Sequence, residues 1–157
     1  MTNLENSSNQ SSQLNKIFYI LPVIALLGFI DAVYLTTKYY SGNINCSIIS
    51  GCQEVLSSQY SAIVGIPLAL LGALYYLFVL IAAIVYIDSR NKWALKIISI
   101  FPTIGFLFSI WLTYLQAYVI KAFCQYCILS ALTSTILFIL SLIIMKKNKL
   151  PKEKLLD

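Results

Sequence analysis

The sequence contains no histidine, and charged residues make up only 11% of it. Without histidine, the chain lacks the most common general base near neutral pH and the most common ligand of a catalytic metal. Any chemistry must therefore come from cysteines, carboxylates, hydroxyls or a bound cofactor. The shortage of charge, beside 59% hydrophobic residues, also excludes a small soluble globule, because 157 residues cannot hide so much apolar surface from water.

Long apolar runs take the place of the missing charge. Four of them are long enough to cross a bilayer at about 1.5 Å of helix rise per residue, over residues 17–37, 62–87, 93–120 and 123–145. The sequence therefore predicts an all-α integral membrane protein, a four-helix transmembrane bundle. We expect residues 16–146 to form this membrane domain, residues 1–15 to form a disordered polar tail and residues 147–157 to form a basic tail.

The one sizeable polar loop, between the first two runs, carries Cys46 and Cys52. The residues that follow Cys52, as far as Tyr60, suit a short helix at the membrane surface. The five residues between the two cysteines allow a disulfide that closes over a turn at Gly51.

Asp31 lies inside the first apolar run. A carboxylate within a membrane span is costly, and it is a functional hypothesis by default. The competing interpretation is a carboxyl that is hydrated near the interface, or one that donates a hydrogen bond to a backbone group when protonated.

The other two cysteines, Cys124 and Cys127, form a Cys-x-x-Cys pair at the head of the fourth run. At the start of a helix, the unpaired N–H groups and the positive end of the helix dipole stabilise a thiolate, which is the form that attacks disulfides. The same spacing suits an inert buried pair or half of a zinc site. A zinc-binding or structural membrane protein and a small transporter subunit therefore stay open as alternatives to a redox protein.

Lysine and arginine are distributed unevenly over the two sides of the predicted bundle. One side carries only Lys38 and Lys121. The positive-inside rule places the richer side, with both termini, in the cytoplasm. Both cysteine pairs then face the outside of the cell membrane, where disulfides form and persist. The basic residues of the richer side are Lys16, Arg90, Lys92, Lys96, Lys146, Lys147, Lys149, Lys152 and Lys154.

In combination, these motifs resemble the vitamin K epoxide reductase family, and its bacterial and archaeal branch more than the animal enzyme. The resemblance rests on Cys46-x5-Cys52, on the segment from Ser57 to Gly72 with its Gly65-Ile66-Pro67 run, and on Phe123-Cys124-x-x-Cys127. It covers about residues 17–145. We expect a stand-alone member without a fused thioredoxin-like domain.

The resemblance implies a quinone-dependent thiol oxidase. It implies that Cys124 and Cys127 are the active-site pair, that Cys46 and Cys52 are the relay pair, and that no metal is needed. The implied cofactor is a quinone, menaquinone or ubiquinone. The implied partners are a separate thioredoxin-fold protein outside the membrane and the membrane lipid, with no nucleic acid.

Four residues are implied to lie near the quinone: Ser58, Gly65, Pro67 and Ala131. Ala131 stands where the animal enzymes carry a tyrosine, four residues after the second cysteine of the motif, and this argues against vitamin K epoxide as the substrate. Aromatic residues of the third run are candidates for the lining of the quinone site, with ordinary membrane packing as the alternative. These candidates are Phe101, Phe106, Phe108, Trp111 and Tyr114.

Overall fold

The structure, a computed structural model, describes residues 2–42, 51–89 and 92–153. Four of its helices are long and apolar enough to cross a membrane, over Lys16–Ser41, Leu68–Ser89, Lys92–Ile120 and Gln125–Lys146. The predicted all-α membrane bundle of four spans is thereby confirmed. In chain order the elements are α1 (Thr2–Ser41), α2 (Cys52–Ser57), β1 (Ala62–Ile63), β2 (Ile66–Pro67), α3 (Leu68–Ser89), α4 (Lys92–Tyr114), a π-helix (Leu115–Ile120) and α5 (Gln125–Glu153).

The long helices pack side by side as a bundle. Helix α1 contacts α3 and α5, and α4 contacts the same two helices. Two glycines allow the close approach: a Cβ atom on Gly28 would collide with the ring of Tyr76, and one on Gly105 would collide with the ring of Tyr75. Small residues serve this purpose in membranes, where the burial of apolar surface does not by itself bring helices together.

The half of the bundle that holds the start of the first span is tightly packed, and we call it the packed half. The rings of Phe18 on α1 and Tyr86 on α3 lie 4.5 Å apart. Leu21, Ile98 and Ile144 bring α1, α4 and α5 into the same core, and each is at most 1% exposed. The apolar side chains that point outward from the spans suit a lipid environment.

Two predicted boundaries differ from the structure. Residues 62–67 form a small antiparallel hairpin, β1 with β2, so the second span begins at Leu68 and not at residue 62. The hairpin turn places Val64 and Gly65 at φ angles of +53° and +80°, a left-handed conformation that a helix cannot contain. At the other boundary, α1 begins at Thr2, whereas the sequence predicts disorder over residues 1–15; the segment contains no glycine or proline that would interrupt a helix.

The short helix predicted after Cys52 is present as α2. It is buried on the side of Val55 and Leu56. The hydroxyl of Ser58 donates to the carbonyl of Val55 at 2.7 Å and so ends the helix. This arrangement brings the end of the polar loop onto the bundle, at the end opposite the packed half.

Candidate functional site

Cys124 caps the N-terminus of α5. Its carbonyl accepts the N–H of Ile128 at 3.0 Å, which is the first hydrogen bond of the helix. The thiol of Cys127 donates to the sulfur of Cys124, and the backbone N–H groups of Cys127 and Tyr126 point at the same sulfur. These hydrogen bonds, the thiol first, lower the pKa of Cys124 to about 7 although burial acts in the opposite direction. Cys124 is therefore the cysteine of the pair that most readily becomes a thiolate.

A glutamine that the sequence patterns did not identify holds Cys124 from the other side. The side-chain oxygen Oε1 of Gln116 accepts the backbone N–H of Cys124 at 3.1 Å, and Gln116 is only 5% exposed. Gln116 belongs to the π-helix that follows α4, and single π-helical turns occur frequently at functional sites. The available signal was a lone amide in the otherwise apolar run 93–120.

Cys52, from the polar loop, lies beside the start of α5. It is 1% exposed, it is disulfide-bonded, and it shares a buried cluster with Leu35, Ala122 and Cys124. The preceding Gly51 permits the contact, because a Cβ atom there would lie 2.8 Å from the carbonyl oxygen of Phe123. The structure thus brings Cys52 and Cys124 together, whereas Cys46 lies outside the described residues.

A cavity of about 370 Å³ lies beside Cys127. Its wall receives side chains from all four spans and from α2, and most of them are apolar. Cys127 lines this cavity, whereas Cys124 is fully buried and does not. The volume falls within the range of sites for small organic molecules. The two cysteines of one motif therefore have different surroundings: Cys124 is enclosed in the buried cluster, whereas Cys127 packs against that cluster and also lines the cavity.

Three buried polar atoms on the cavity wall have no hydrogen-bond partner in the described part of the chain: Oδ2 of Asp31 and the hydroxyls of Tyr75 and Ser134. The hydroxyls of Tyr75 and Ser134 lie close enough to interact but do not reach hydrogen-bonding geometry. Unpaired buried polar atoms are rare, because each one loses its hydrogen bonds to water without replacement. Their gathering around one cavity suits a ligand that carries polar atoms of its own.

Of the four residues predicted near a quinone, Ser58, Pro67 and Ala131 line the cavity and Gly65 does not. Gly65 forms the turn between β1 and β2 at a φ of +80°, with open space around the position of a Cβ atom. The hairpin requires a left-handed residue at this position, so Gly65 shapes the turn and lies outside the cavity wall, and its place near a quinone stays a prediction.

Of the five aromatic candidates from the third run, only Phe108 lines the cavity. Phe106 stacks on Phe138 of α5 at 4.4 Å, and Phe101 lies 4.7 Å from Phe78 of α3. The other four aromatic candidates do not line this cavity, which fits the alternative of ordinary membrane packing, because the rotation of α4 in the bundle decides which of its faces meets the cavity. That face carries Ile104, Gly105, Phe108, Ser109, Leu112 and Thr113.

The arrangement of cysteines and spans has a counterpart among known families. The sequence model of the vitamin K epoxide reductase family matches residues 19–142, which run from the first span into the fourth and include both cysteine pairs. The chain belongs to this family. As a vitamin K epoxide reductase family member it is a multi-pass membrane protein and an oxidoreductase, and the chemistry of the family links disulfides to quinones.

The residues of this vitamin K epoxide reductase family member fit a quinone at the cavity. A quinone ring is apolar on its faces and carries two carbonyl oxygens that accept hydrogen bonds. The unpaired hydroxyls of Tyr75 and Ser134 can donate to such an oxygen. Apolar side chains such as Leu35 and Phe108 offer contacts to the ring, and Cys127 stands on the same wall.

Proposed function

We propose that the protein is a thiol oxidase that transfers electrons from a separate thioredoxin-fold protein outside the cell membrane to a membrane quinone. The observation that carries the proposal is the division within the Cys-x-x-Cys pair. Cys124 belongs to the same buried cluster as Cys52 of the loop, whereas Cys127 also lines the cavity. A pair arranged in this way receives electrons on one side and delivers them on the other.

In the first half of the proposed reaction, a thiolate of the partner attacks the Cys46–Cys52 disulfide at Cys46 and releases Cys52. The Cys52 thiolate attacks Cys124, which breaks the Cys124–Cys127 disulfide and frees Cys127. The second thiol of the partner then frees Cys46, which attacks Cys52 and releases Cys124 as a thiolate. Each step exchanges one S–S bond for another. The lowered pKa of Cys124 favours the last step, because a more acidic thiol is a better leaving group.

In the second half, the Cys124–Cys127 dithiol is oxidised back to the disulfide and releases two protons, while a quinone takes up the two electrons and two protons. The quinone supplies the oxidising chemistry, and the protein supplies its place and orientation. Tyr75 on α3 and Ser134 on α5 would hold the ring, because their hydroxyls could donate to a carbonyl oxygen of the quinone. Ser134 lies three residues beyond Ala131 and so offers a hydroxyl near the position at which the animal enzymes carry a tyrosine.

The proposed orientation places the cysteine end of the bundle outside and both termini in the cytoplasm, in keeping with the uneven distribution of lysine and arginine. A membrane-impermeant thiol reagent, applied to intact cells after treatment with a reductant, should label Cys46 or Cys52. Labelling that appears only after the cells are lysed would contradict the orientation.

A zinc site built from the four cysteines is a weaker candidate. Such a site requires thiolates, because only the thiolate binds the metal. Cys52 is disulfide-bonded instead, which suits a redox relay. The zinc content of the purified protein separates these two functions.

The proposed function is tested with the purified protein in lipid nanodiscs, a reduced thioredoxin-fold oxidase and a soluble quinone analogue. We expect the absorbance of the quinone to fall while an equal amount of partner disulfide forms. The matched control is the Cys124→Ser, Cys127→Ser double variant, which should leave both substrates unchanged. A partner that stays reduced in the presence of the wild-type protein and excess quinone would contradict the proposal.

A further inference from the structure

Asp31 is the only acidic side chain on the cavity wall within the described residues. It lies about 15 Å along the helix axis from the Ser41 end of the first span. It is only 8% exposed. A carboxyl that is hydrated at the membrane interface does not fit this burial.

The hydrogen bonding of Asp31 is equally informative. Its Oδ2 atom has no partner, so this oxygen is not engaged with the backbone either. The carboxyl lies within electrostatic range of both Cys124 and Cys127. Asp31 and the Cys127 thiol thus share one cavity, and one carboxyl oxygen is left to hold or release a proton there.

The chemistry of the proposed reaction requires a proton carrier at this place. Oxidation of a dithiol releases two protons, and reduction of a quinone to the quinol takes up two. General acid–base groups in proteins are most often histidine, and this chain has none. The hydroxyls of tyrosine and serine exchange protons poorly near neutral pH, whereas a carboxyl does so readily.

We propose that Asp31 is the proton carrier between Cys127 and a quinone bound in the cavity, an inference that rests on the proposed function. The S–H bond of Cys127 breaks, and Asp31 takes this proton. Asp31 also gives one proton to a ring oxygen, so its protonation state is the same at the end of the turnover as at the start. An S–S bond forms between Cys124 and Cys127, and two electrons pass to the ring. The proton of Cys124 goes to solvent, and the second ring oxygen is protonated from solvent.

The other titratable groups around Asp31 do not replace it. The hydroxyl of Tyr76 already donates to the carbonyl of Ser130 at 2.7 Å. Helix α4 contributes no titratable side chain to the cavity wall among the described residues. The groups that face Asp31 or its cavity are Tyr39 from α1, Tyr60 after α2, Tyr75 and Tyr76 from α3, and Cys124, Tyr126 and Cys127 at the start of α5.

The first test compares Asp31→Asn with Asp31→Glu, which keeps a carboxyl. In pre-reduced protein, Asp31→Asn should slow the reduction of a soluble quinone by about 100-fold or more. Its remaining rate should rise steadily with pH, because hydroxide then has to take the thiol proton, while Asp31→Glu should restore most of the rate and the wild-type pH profile. The thiol-exchange steps between partner and protein should keep their wild-type rates in both variants.

The second test needs no quinone. Infrared difference spectra between the dithiol and disulfide forms of the Cys124–Cys127 pair should show a change in a carboxyl band. This band should be absent in Asp31→Asn and shifted in Asp31→Glu. The shift in Asp31→Glu assigns the band to residue 31 even if Asp31→Asn fails to fold.

The outcomes separate the two proposals. A wild-type rate and pH profile in Asp31→Asn, or an infrared difference without a carboxyl change, would overturn the role of Asp31 while quinone reduction by the wild type still stands. A wild-type protein that reduces no quinone would overturn the proposed function, and with it the delivery of a proton to the ring. A purely structural role for Asp31 predicts lower thermal stability in Asp31→Asn with an unchanged pH profile, which would also contradict the carrier.

Discussion

The two ends of the bundle are packed to different degrees. In the packed half, side chains such as Leu21, Ile98 and Ile144 leave almost no surface exposed. At the cysteine end, the same four spans leave a cavity of about 370 Å³ and unpaired polar atoms on its wall. Empty space and unpaired polar atoms cost stability, and proteins retain such features mainly at functional sites. One end of the bundle therefore stabilises the fold, and the cysteine end offers a site for a ligand.

Adjacent tyrosines on α3 show the same contrast at the scale of single residues. Their rings form an edge-to-face pair with centroids 5.0 Å apart. The hydroxyl of Tyr76 is hydrogen-bonded to Ser130 and Thr133, whereas the hydroxyl of Tyr75 faces the cavity without a partner. Identical side chains thus serve packing at one position and a ligand site at the next.

The largest effect is expected at Cys127, the cysteine on the cavity wall. Cys127→Ser should reduce electron delivery to quinone to the background rate, because the remaining Cys124 cannot form the disulfide that releases two electrons. Cys52→Ser, or Cys46→Ser, should spare the oxidation of a small dithiol that can reach Cys124, since the relay is then bypassed. Quinone absorbance measures both rates. If all these variants lose dithiol oxidation equally, the division between relay and cavity cysteines is wrong.

A smaller effect, on stability alone, should come from Gly28 in contact with Tyr76. Gly28→Ala places a Cβ atom into the Tyr76 ring and should destabilise the protein by about 1–3 kcal/mol. Gly72→Ala is the matched control, because its Cβ atom would meet Ala32 at an ordinary 3.8 Å. Thermal unfolding in detergent compares the two, and equal losses of stability would contradict the tight packing at Gly28.

The adjacent tyrosines should separate stability from quinone affinity. Tyr76→Phe removes the hydrogen bonds to Ser130 and Thr133 and should cost about 1–2 kcal/mol of unfolding free energy. Tyr75→Phe removes a hydroxyl without a partner, so stability should change by less than about 0.5 kcal/mol. The KM for quinone should rise in Tyr75→Phe and stay unchanged in Tyr76→Phe. A KM that rises in Tyr76→Phe and stays unchanged in Tyr75→Phe would contradict a ligand contact at Tyr75.

The smallest effect concerns the acidity of Cys124. Its pKa is lowered to about 7, chiefly by the thiol of Cys127, so the thiolate should form as the pH rises through about 7. Cys127→Ala removes this donor and should raise the pKa of Cys124 toward its ordinary range, although the backbone N–H groups still stabilise the thiolate. Thiolate absorbance against pH measures the shift. An unchanged midpoint would show that the helix N-terminus alone sets the acidity.

The sequence was sufficient to predict the four spans, because each is a long apolar run. It was also sufficient to predict that the loop of Cys52 and the start of the fourth span lie at the same end of the bundle, because successive spans run in opposite directions. It did not predict the hairpin over residues 62–67, since the apolar character continues across it and only the left-handed turn at Val64 and Gly65 interrupts the helix. The sequence also did not predict the rotation of α4 in the bundle, and most of the aromatic candidates from the third run therefore lie outside the cavity wall.

The polar residues of the site were predicted only in part. Asp31 stood out as a carboxylate in an apolar run, but its burial on the cavity wall depends on α3 and α5. Gln116 reaches Cys124 because a π-helix follows α4, and a change of helix type leaves no clear pattern in the sequence. The different roles of Tyr75 and Tyr76 depend on what faces each ring, which only the packed bundle determines.

The central claim is that electrons pass from Cys52 to Cys124 and then to Cys127. In Cys127→Ser, Cys124 has no disulfide partner within its motif. Its thiolate can instead attack the Cys46–Cys52 disulfide at Cys52 and release Cys46, so this variant should accumulate a disulfide between Cys52 and Cys124. Peptide mapping under non-reducing conditions measures it, with the Cys124→Ser, Cys127→Ser double variant as the control. The account predicts a linked pair of peptides that contain Cys52 and Cys124. A variant that keeps Cys52 in a disulfide with Cys46, while Cys124 stays free under oxidising conditions, would contradict the account and leave direct attack of the partner on Cys124.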